Sequence, residues 1–315
     1  MIEAYLTGSF PRSEGLVEAT RAAVRRRIPS SDLEAAFRSD LSELIRLQRD
    51  AALDFLVDGQ LNWQDLFRPF SKLFTGITLG GLTRWFDNNT FYRKPLIVER
   101  VRFSNAGVEQ YFRSDLLPAS VPKRAILPGP FTFAVMSQNS PQTSLADLVD
   151  DIAHALKDTV DVLHKSGYTH FQFNEPCLAV GRTRGELEIA KHGFEICAKA
   201  NGASTDLHLY FGDVGPIVHL LLDFPVDCLG LDFYASSVDS IADYSFQKQL
   251  GCGCIDGRNS LVESPNDLIG FITKVRDDIE PEGISICPNC DLEFLPSVIA
   301  EKKVRVLTET KRRLA

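Results

Sequence analysis

The sequence has no basic segment followed by a long apolar one near its start, and nowhere do about 18 apolar residues run together. Neither a secretion signal nor a membrane span is therefore expected. Clustered positive charge is missing as well. Arg25-Arg26-Arg27 reads as a solvated helix end before Pro29, no long basic stretch follows, and the net charge is −8. A phosphate backbone needs a concentrated basic field, so nucleic acid is not an expected partner. Internal repeats and low-complexity tracts are absent too. The seven cysteines are an odd number scattered through an acidic chain, which fits a reduced, cytoplasmic protein better than a disulfide framework.

What remains is a globular composition, 44% hydrophobic and 24% charged over 315 residues, enough to bury one large core. Short β-rich runs recur at Ile2–Thr7, Phe55–Asp58, Arg124–Leu127, His170–Asn174, Leu207–Phe211, Cys228–Phe233, Gly251–Ile255 and Ser285–Cys287. Amphipathic helices separate many of them. Ser31-Asp32-Leu33-Glu34 offers a capping box, with Leu33, Phe37, Leu41, Leu44 and Ile45 on one face. Ser144–Ser166 carries Leu148, Ile152, Leu156, Val160 and Leu163 on its apolar side. Ser264-Pro265 opens a third helix, and a last one runs from about Pro296 to Arg313. Eight strands punctuated by helices predict a single (β/α)₈ TIM barrel over residues 1–315. Residues 61–102 break the rhythm. This aromatic-rich insertion after the second strand is expected either across the barrel mouth or as a helical hairpin on its side.

Barrels of this kind place their chemistry in the loops after the strands. There the sequence gathers glycines and polar groups: Gly8-Ser9-Phe10-Pro11, Asp58-Gly59-Gln60, Gly129-Pro130, Asn174-Glu175-Pro176, His208 to Asp213, Asp232-Phe233-Tyr234, Cys254 to Asn259 and Cys287 to Cys290. Small residues ahead of a helix leave N–H groups free for an anion, which makes Ser9 a candidate substrate contact; an ordinary turn is the plainer alternative.

Leu127-Pro128-Gly129-Pro130-Phe131-Thr132-Phe133, Phe173-Asn174-Glu175-Pro176, Tyr210-Phe211-Gly212-Asp213, Ile255 to Asn259 and Cys287-Pro288-Asn289-Cys290 together resemble stretches of cobalamin-independent methionine synthase, in the same order along nearly the whole chain. Arg84 to Asn89 and Asp256 to Asn259 look most like that family's N-terminal, folate-side barrel. The resemblance implies methyl transfer from a folate or methyl-corrinoid donor to a thiol such as homocysteine. The chain would then act alone, with a corrinoid protein, or as the folate-side partner of a second barrel protein. A diverged thiol alkyltransferase or lyase is a further alternative.

The family's catalytic barrel holds zinc with a His-x-Cys pair, a Glu and a second Cys. In this sequence Leu209 and Tyr210 follow His208, so the pair is missing. The residual zinc candidates are His208, Asp232, Cys254 and Cys290, whose mixed N, O and S donors suit that ion; the plainer alternative is buried core. The resemblance further implies carboxylates near positions 60 and 174 to meet a substrate ammonium, where this chain has Gln60 and Asn174. An amide accepts a hydrogen bond but does not neutralise a charge, so a ligand other than free homocysteine, or weak binding of it, is expected. Glu175 and Asp256 are the catalytic acid/base candidates, because a leaving nitrogen needs a proton. Tyr210, Arg258 and Asn259 complete the expected substrate contacts, with Arg258 offering a fork to an anionic group.

Overall fold

The computed structural model describes residues 2–198 and 202–314. Among the described residues ten strands follow one another: β1 Glu3–Ala4, β2 Phe74–Arg84, β3 Phe91–Phe103, β4 Lys123–Pro128, β5 Gln138–Asn139, β6 Tyr168–Asn174, β7 Ser204–Leu209, β8 Cys228–Asp232, β9 Gln249–Ile255 and β10 Gly283–Pro288. Seven of them make one sheet in the order β1-β10-β9-β8-β7-β6-β4. Every pairing in that sheet is parallel. Strands β4 and β8 are buried along their whole length, as parallel strands covered on both faces must be.

Of the eight runs expected from sequence, seven are strands of this sheet. Residues 55–58 contribute only a single parallel bridge, Leu56 to Lys123. The backbone bonds around that bridge are Leu56 N–H to Pro122 O at 2.9 Å, Arg124 N–H to Leu56 O at 2.9 Å, and Asp54 N–H to Ala4 O at 3.0 Å. They join β4 to β1 through one residue of ladder. The structure is thus a curled parallel sheet in which the eighth strand is reduced to a bridge.

Helices cover the outer face. Helix Leu145–Lys165 starts at Ser144, whose hydroxyl caps the Asp147 N–H, and buries Leu148, Ile152, Leu156, Val160 and Leu163, the stripe its 3.6-residue periodicity dictates. Helix Ser30–Asp50 also forms, but Pro29 is its N-cap and no side chain caps it. The expected capping box at Ser31 is absent because the helix begins two residues earlier than that cap requires, with Pro29 in the N-cap position, and the Ser31 hydroxyl bonds Asp32 instead. A true capping box stands at Thr183 and Glu186, opening helix Arg184–Cys197, which the sequence reading passed over.

The aromatic insertion is not helical. After turns and one short helical turn it forms the antiparallel hairpin β2–β3, extended by β5. Its aromatics pack as a cluster: Phe67 meets Trp85 and Tyr92 edge to face and Phe133 at a tilt, all within 6 Å. The turn of the hairpin reaches the sheet's loops. Phe86 lies 5.3 Å from Phe211, beyond β7, and Arg258, beyond β9, donates to the Asp87 carbonyl at 3.5 Å.

Candidate active site

The strands' C-terminal ends meet the hairpin around a cavity of about 280 Å3. Ser9 and Arg12 line it from the loop after β1, Trp85 and Tyr92 from the hairpin, and Asp291 and Glu293 from the segment after β10. The local geometry is tightly set. The Ser9 N–H donates to Asp291 Oδ1 at 2.8 Å, and the Glu293 N–H donates to the Ser9 carbonyl at 3.0 Å. Gly8 has to be glycine here, since a Cβ would lie 1.7 Å from Asp291 Oδ1. Burial pushes both carboxyls above the usual range, and Glu293 is raised further by the neighbouring charge of Asp291. An ionised Asp291 thus disfavours ionisation of Glu293, and two such carboxyls facing one cavity gain from a bound cation.

Gln60 and Asn174 occupy this rim without presenting a carboxylate. The Gln60 amide donates to the Ile126 carbonyl at 3.1 Å and accepts the Ser9 hydroxyl at 2.6 Å. Its backbone, like that of Gly59, is left-handed, with φ of 52° and 64°, a conformation costly for a side-chain-bearing residue. Asn174 accepts from Gln172 Nε2 at 2.7 Å, and that same nitrogen donates to the Thr7 carbonyl at 2.6 Å. The Thr7 bond fixes the Gln172 amide, which in turn fixes Asn174, leaving Asn174 Nδ2 buried without a partner.

The four zinc candidates do not gather. Among the described residues no three His, Cys, Asp or Glu side chains form a group able to hold a metal. His208 Nε2 faces the Asn289 carbonyl at 2.9 Å, and its Nδ1 is packed against Gly230, where a Cβ would come within 2.1 Å. Asp232 is spent on Tyr234 N–H, Asn289 Nδ2 and Phe211 N–H. Cys254 lines a different cavity, beside Phe233 and Phe271. Burial raises the Cys254 and Cys290 thiols and so disfavours the thiolates a metal needs. This donor set does not fit zinc. Tyr210, two residues after His208, is fully buried with no partner for its hydroxyl.

His208 is held neutral: burial lowers its pKa to about 4. A histidine depressed in the folded state contributes its full stability above about pH 6.5 and loses it as pH falls towards 4, on the order of 3 kcal/mol. His208→Gln keeps a donor and is expected to lessen this acid sensitivity. Urea midpoints at pH 7.5 and 4.5 measure it, and an equal wild-type-to-variant gap at both pH values would count against it.

The acid/base candidates are also engaged. Glu175 accepts the Phe131 and Thr132 N–H groups at 2.8 and 2.7 Å, closing the N-terminus of helix Pro130–Met136. Its carboxyl is pushed up to about 7 by burial. Asp256 accepts the Arg258 N–H at 2.9 Å, and Asn259 accepts the Leu261 N–H at 3.0 Å. Arg258 is exposed, with its guanidinium 5.2 Å over the Phe211 ring. The residues that sequence reasoning missed are Arg12, Asp291 and Glu293. Their signal was faint: two carboxylates just past a strand-end Cys290, in a loop already read for its thiols.

Residues 2–312 match the family described as cobalamin-independent synthase, catalytic domain, whereas the segments compared above had pointed to the folate-side barrel. A protein named methionine synthase from Saccharolobus solfataricus is 26% identical over 308 residues, covering 96% of this chain and 91% of that one. Its namesake from Sulfurisphaera tokodaii is 25% identical over 299 residues, covering 94% and 88%. Among solved structures, a B12-independent methionine synthase from a Shewanella species, in complex with selenomethionine, superposes with a TM-score of 0.84 at 17% identity. It covers 99% of this chain and 97% of that one. A Listeria monocytogenes structure described as a vitamin-B12-independent methionine synthase gives 0.79 at 13%, covering 100% and 99%. At such identities these two carry the fold alone.

Proposed function

Because the chain belongs to the cobalamin-independent methionine synthase family, we propose that it moves a methyl group onto a small thiol of the homocysteine type in the cavity beside Ser9. The observation that carries this reading is the pair of raised carboxyls, Asp291 and Glu293, facing one cavity at the strands' C-terminal rim. An ionised Asp291 would hold the ammonium that residues 60 and 174 no longer meet. A protonated Glu293 would supply the proton for the leaving group of the donor. The thiol sulfur gains the methyl carbon and its proton passes to solvent; the donor's bond to that carbon breaks, its electron pair stays with the donor, a nitrogen leaving group takes a proton from Glu293, and solvent returns one to Glu293. Arg12 would meet the carboxylate of the acceptor.

The same reading treats the sheet as a closed barrel, with Phe55–Asp58 as the eighth strand, and treats the 61–102 insertion as a cover at its mouth through Phe86 and Asp87. Asp256, Arg258 and Asn259 remain candidates for the donor side, and Glu175 positions the helix behind Gly129. No step is assigned to zinc.

Incubating the protein with homocysteine and either methyltetrahydrofolate or methylcobalamin is expected to yield methionine with one of the two donors. Absence of methionine with both would remove this reading. A second reading, a barrel that acts only beside a partner barrel, is favoured by the missing His-x-Cys pair, since Leu209 and Tyr210 follow His208. Methionine formed only after a zinc-bearing barrel protein is added would establish it.

A further inference from the structure

A second cavity, of about 430 Å3, shares none of the residues around Ser9. It lies between the loop after β8 and helix Pro265–Ile279. Its walls are Phe233, Tyr234, Leu261, Leu268 and Phe271, and Phe233 meets Phe271 edge to face at 5.2 Å. Tyr234 is 52% and Leu261 75% exposed, so this apolar mouth opens to solvent. Such a volume and lining suit a small organic ligand.

Glu263 lines the same cavity with its side chain nine-tenths buried. Its Oε1 accepts Lys303 Nζ at 2.6 Å and the Asp256 N–H at 2.8 Å, and the Tyr234 hydroxyl stands 3.2 Å from it and 3.1 Å from the Cys254 carbonyl, with one proton for the two. Its Oε2 is buried and has no partner at all. Lys303, with its side chain wholly buried, also donates to the Leu261 carbonyl at 2.7 Å, so the partner of Oε1 is itself held from a second side. A buried acceptor left bare costs free energy until a donor reaches it.

We propose that this cavity binds a flat, largely apolar molecule carrying one N–H donor, of the indole or amino-heterocycle class. The N–H meets Glu263 Oε2 while the ring rests among Phe233, Tyr234 and Phe271. Lys303 already balances the charge of Glu263, so the ligand need not be a cation. Asp267 at the exposed edge of the cavity disfavours an anion. Since Glu263 also holds the Asp256 N–H, a ligand here steadies the loop that carries Asp256 and Arg258.

The test uses indole and its isostere benzofuran, which has oxygen in place of the N–H, each titrated into the full chain by calorimetry. Indole is expected to bind at least tenfold more tightly than benzofuran. Glu263→Gln is expected to abolish that preference. Leu261→Asp, at an exposed position, is expected to weaken indole at least fivefold with no change in thermal midpoint. Equal binding of the two ligands by the wild type, or indole binding untouched by Leu261→Asp, overturns the proposal. Should Glu263→Gln fail to fold for want of a partner for Lys303, the wild-type comparison and Leu261→Asp decide alone.

Discussion

Asp291→Asn is expected to lower kcat/KM for methylation of homocysteine about a hundredfold while leaving the chain folded. The amide keeps an oxygen for the Ser9 N–H, which Asp291 Oδ1 accepts at 2.8 Å, so the loop after β1 stays in place. What is lost is the negative charge opposite the substrate ammonium, and a hydrogen bond to a charged group is worth about 1.5 to 3 kcal/mol. The pH profile gives an independent readout. The proposed mechanism requires Asp291 ionised and Glu293 protonated, which predicts a bell whose two limbs belong to the pair. In Asp291→Asn the acid limb disappears, and the alkaline limb moves to lower pH because the like charge that raised Glu293 is gone. Unchanged steady-state kinetics across pH 5 to 9 would show that Asp291 serves only the loop.

The largest effect on stability is expected from Arg124→Met. Arg124, near the start of β4, and Asp206, in β7, are paired by a hydrogen-bonded ion contact with both side chains 3% exposed. The guanidinium also lies 3.6 Å from the centre of the Tyr5 ring and 4.8 Å from that of Phe55. Burial of both charges is tolerable only while each has the other. Removing Arg124 strands Asp206 and is expected to cost about 3 to 5 kcal/mol. The double variant Arg124→Met with Asp206→Leu is expected to regain most of it. Denaturant unfolding of the three proteins measures this, and a single variant no less stable than the wild type would mean the pair does not hold the strands' N-terminal ends together.

Much of this architecture was legible because its signals are local. The stripe of helix 145–165 is a repeat of 3.6 residues, and seven strands announce themselves as short apolar runs ending in polar clusters. Residues 55–58 look like the others in sequence, yet ladder length depends on what lies alongside, and only Leu56 finds a partner residue. The hairpin β2–β3 was obscured because Gly76, Gly80 and Gly81 interrupt its alternation while the surrounding aromatics suggest a packed helical pair. At the site the rim itself was legible, but the use of each side chain was not. Glu175 reads as an acid until one sees it capping a helix that begins 45 residues earlier at Pro130, and His208 reads as a ligand until its ring is found against Gly230. Charge at the rim was the hardest to see. The neutral amides at 60 and 174 pointed away from an ammonium ligand, and only the fold brings Asp291 and Glu293 to the same cavity as Ser9.

Calorimetric titration of metal-stripped protein with homocysteine, and with 4-sulfanylbutanoate, which lacks only the amine, isolates that relocated charge. The wild type should bind homocysteine at least tenfold more tightly, and Asp291→Asn should bind the two alike. Equal affinities in the wild type, or a preference that survives in Asp291→Asn, would contradict the assignment of the site.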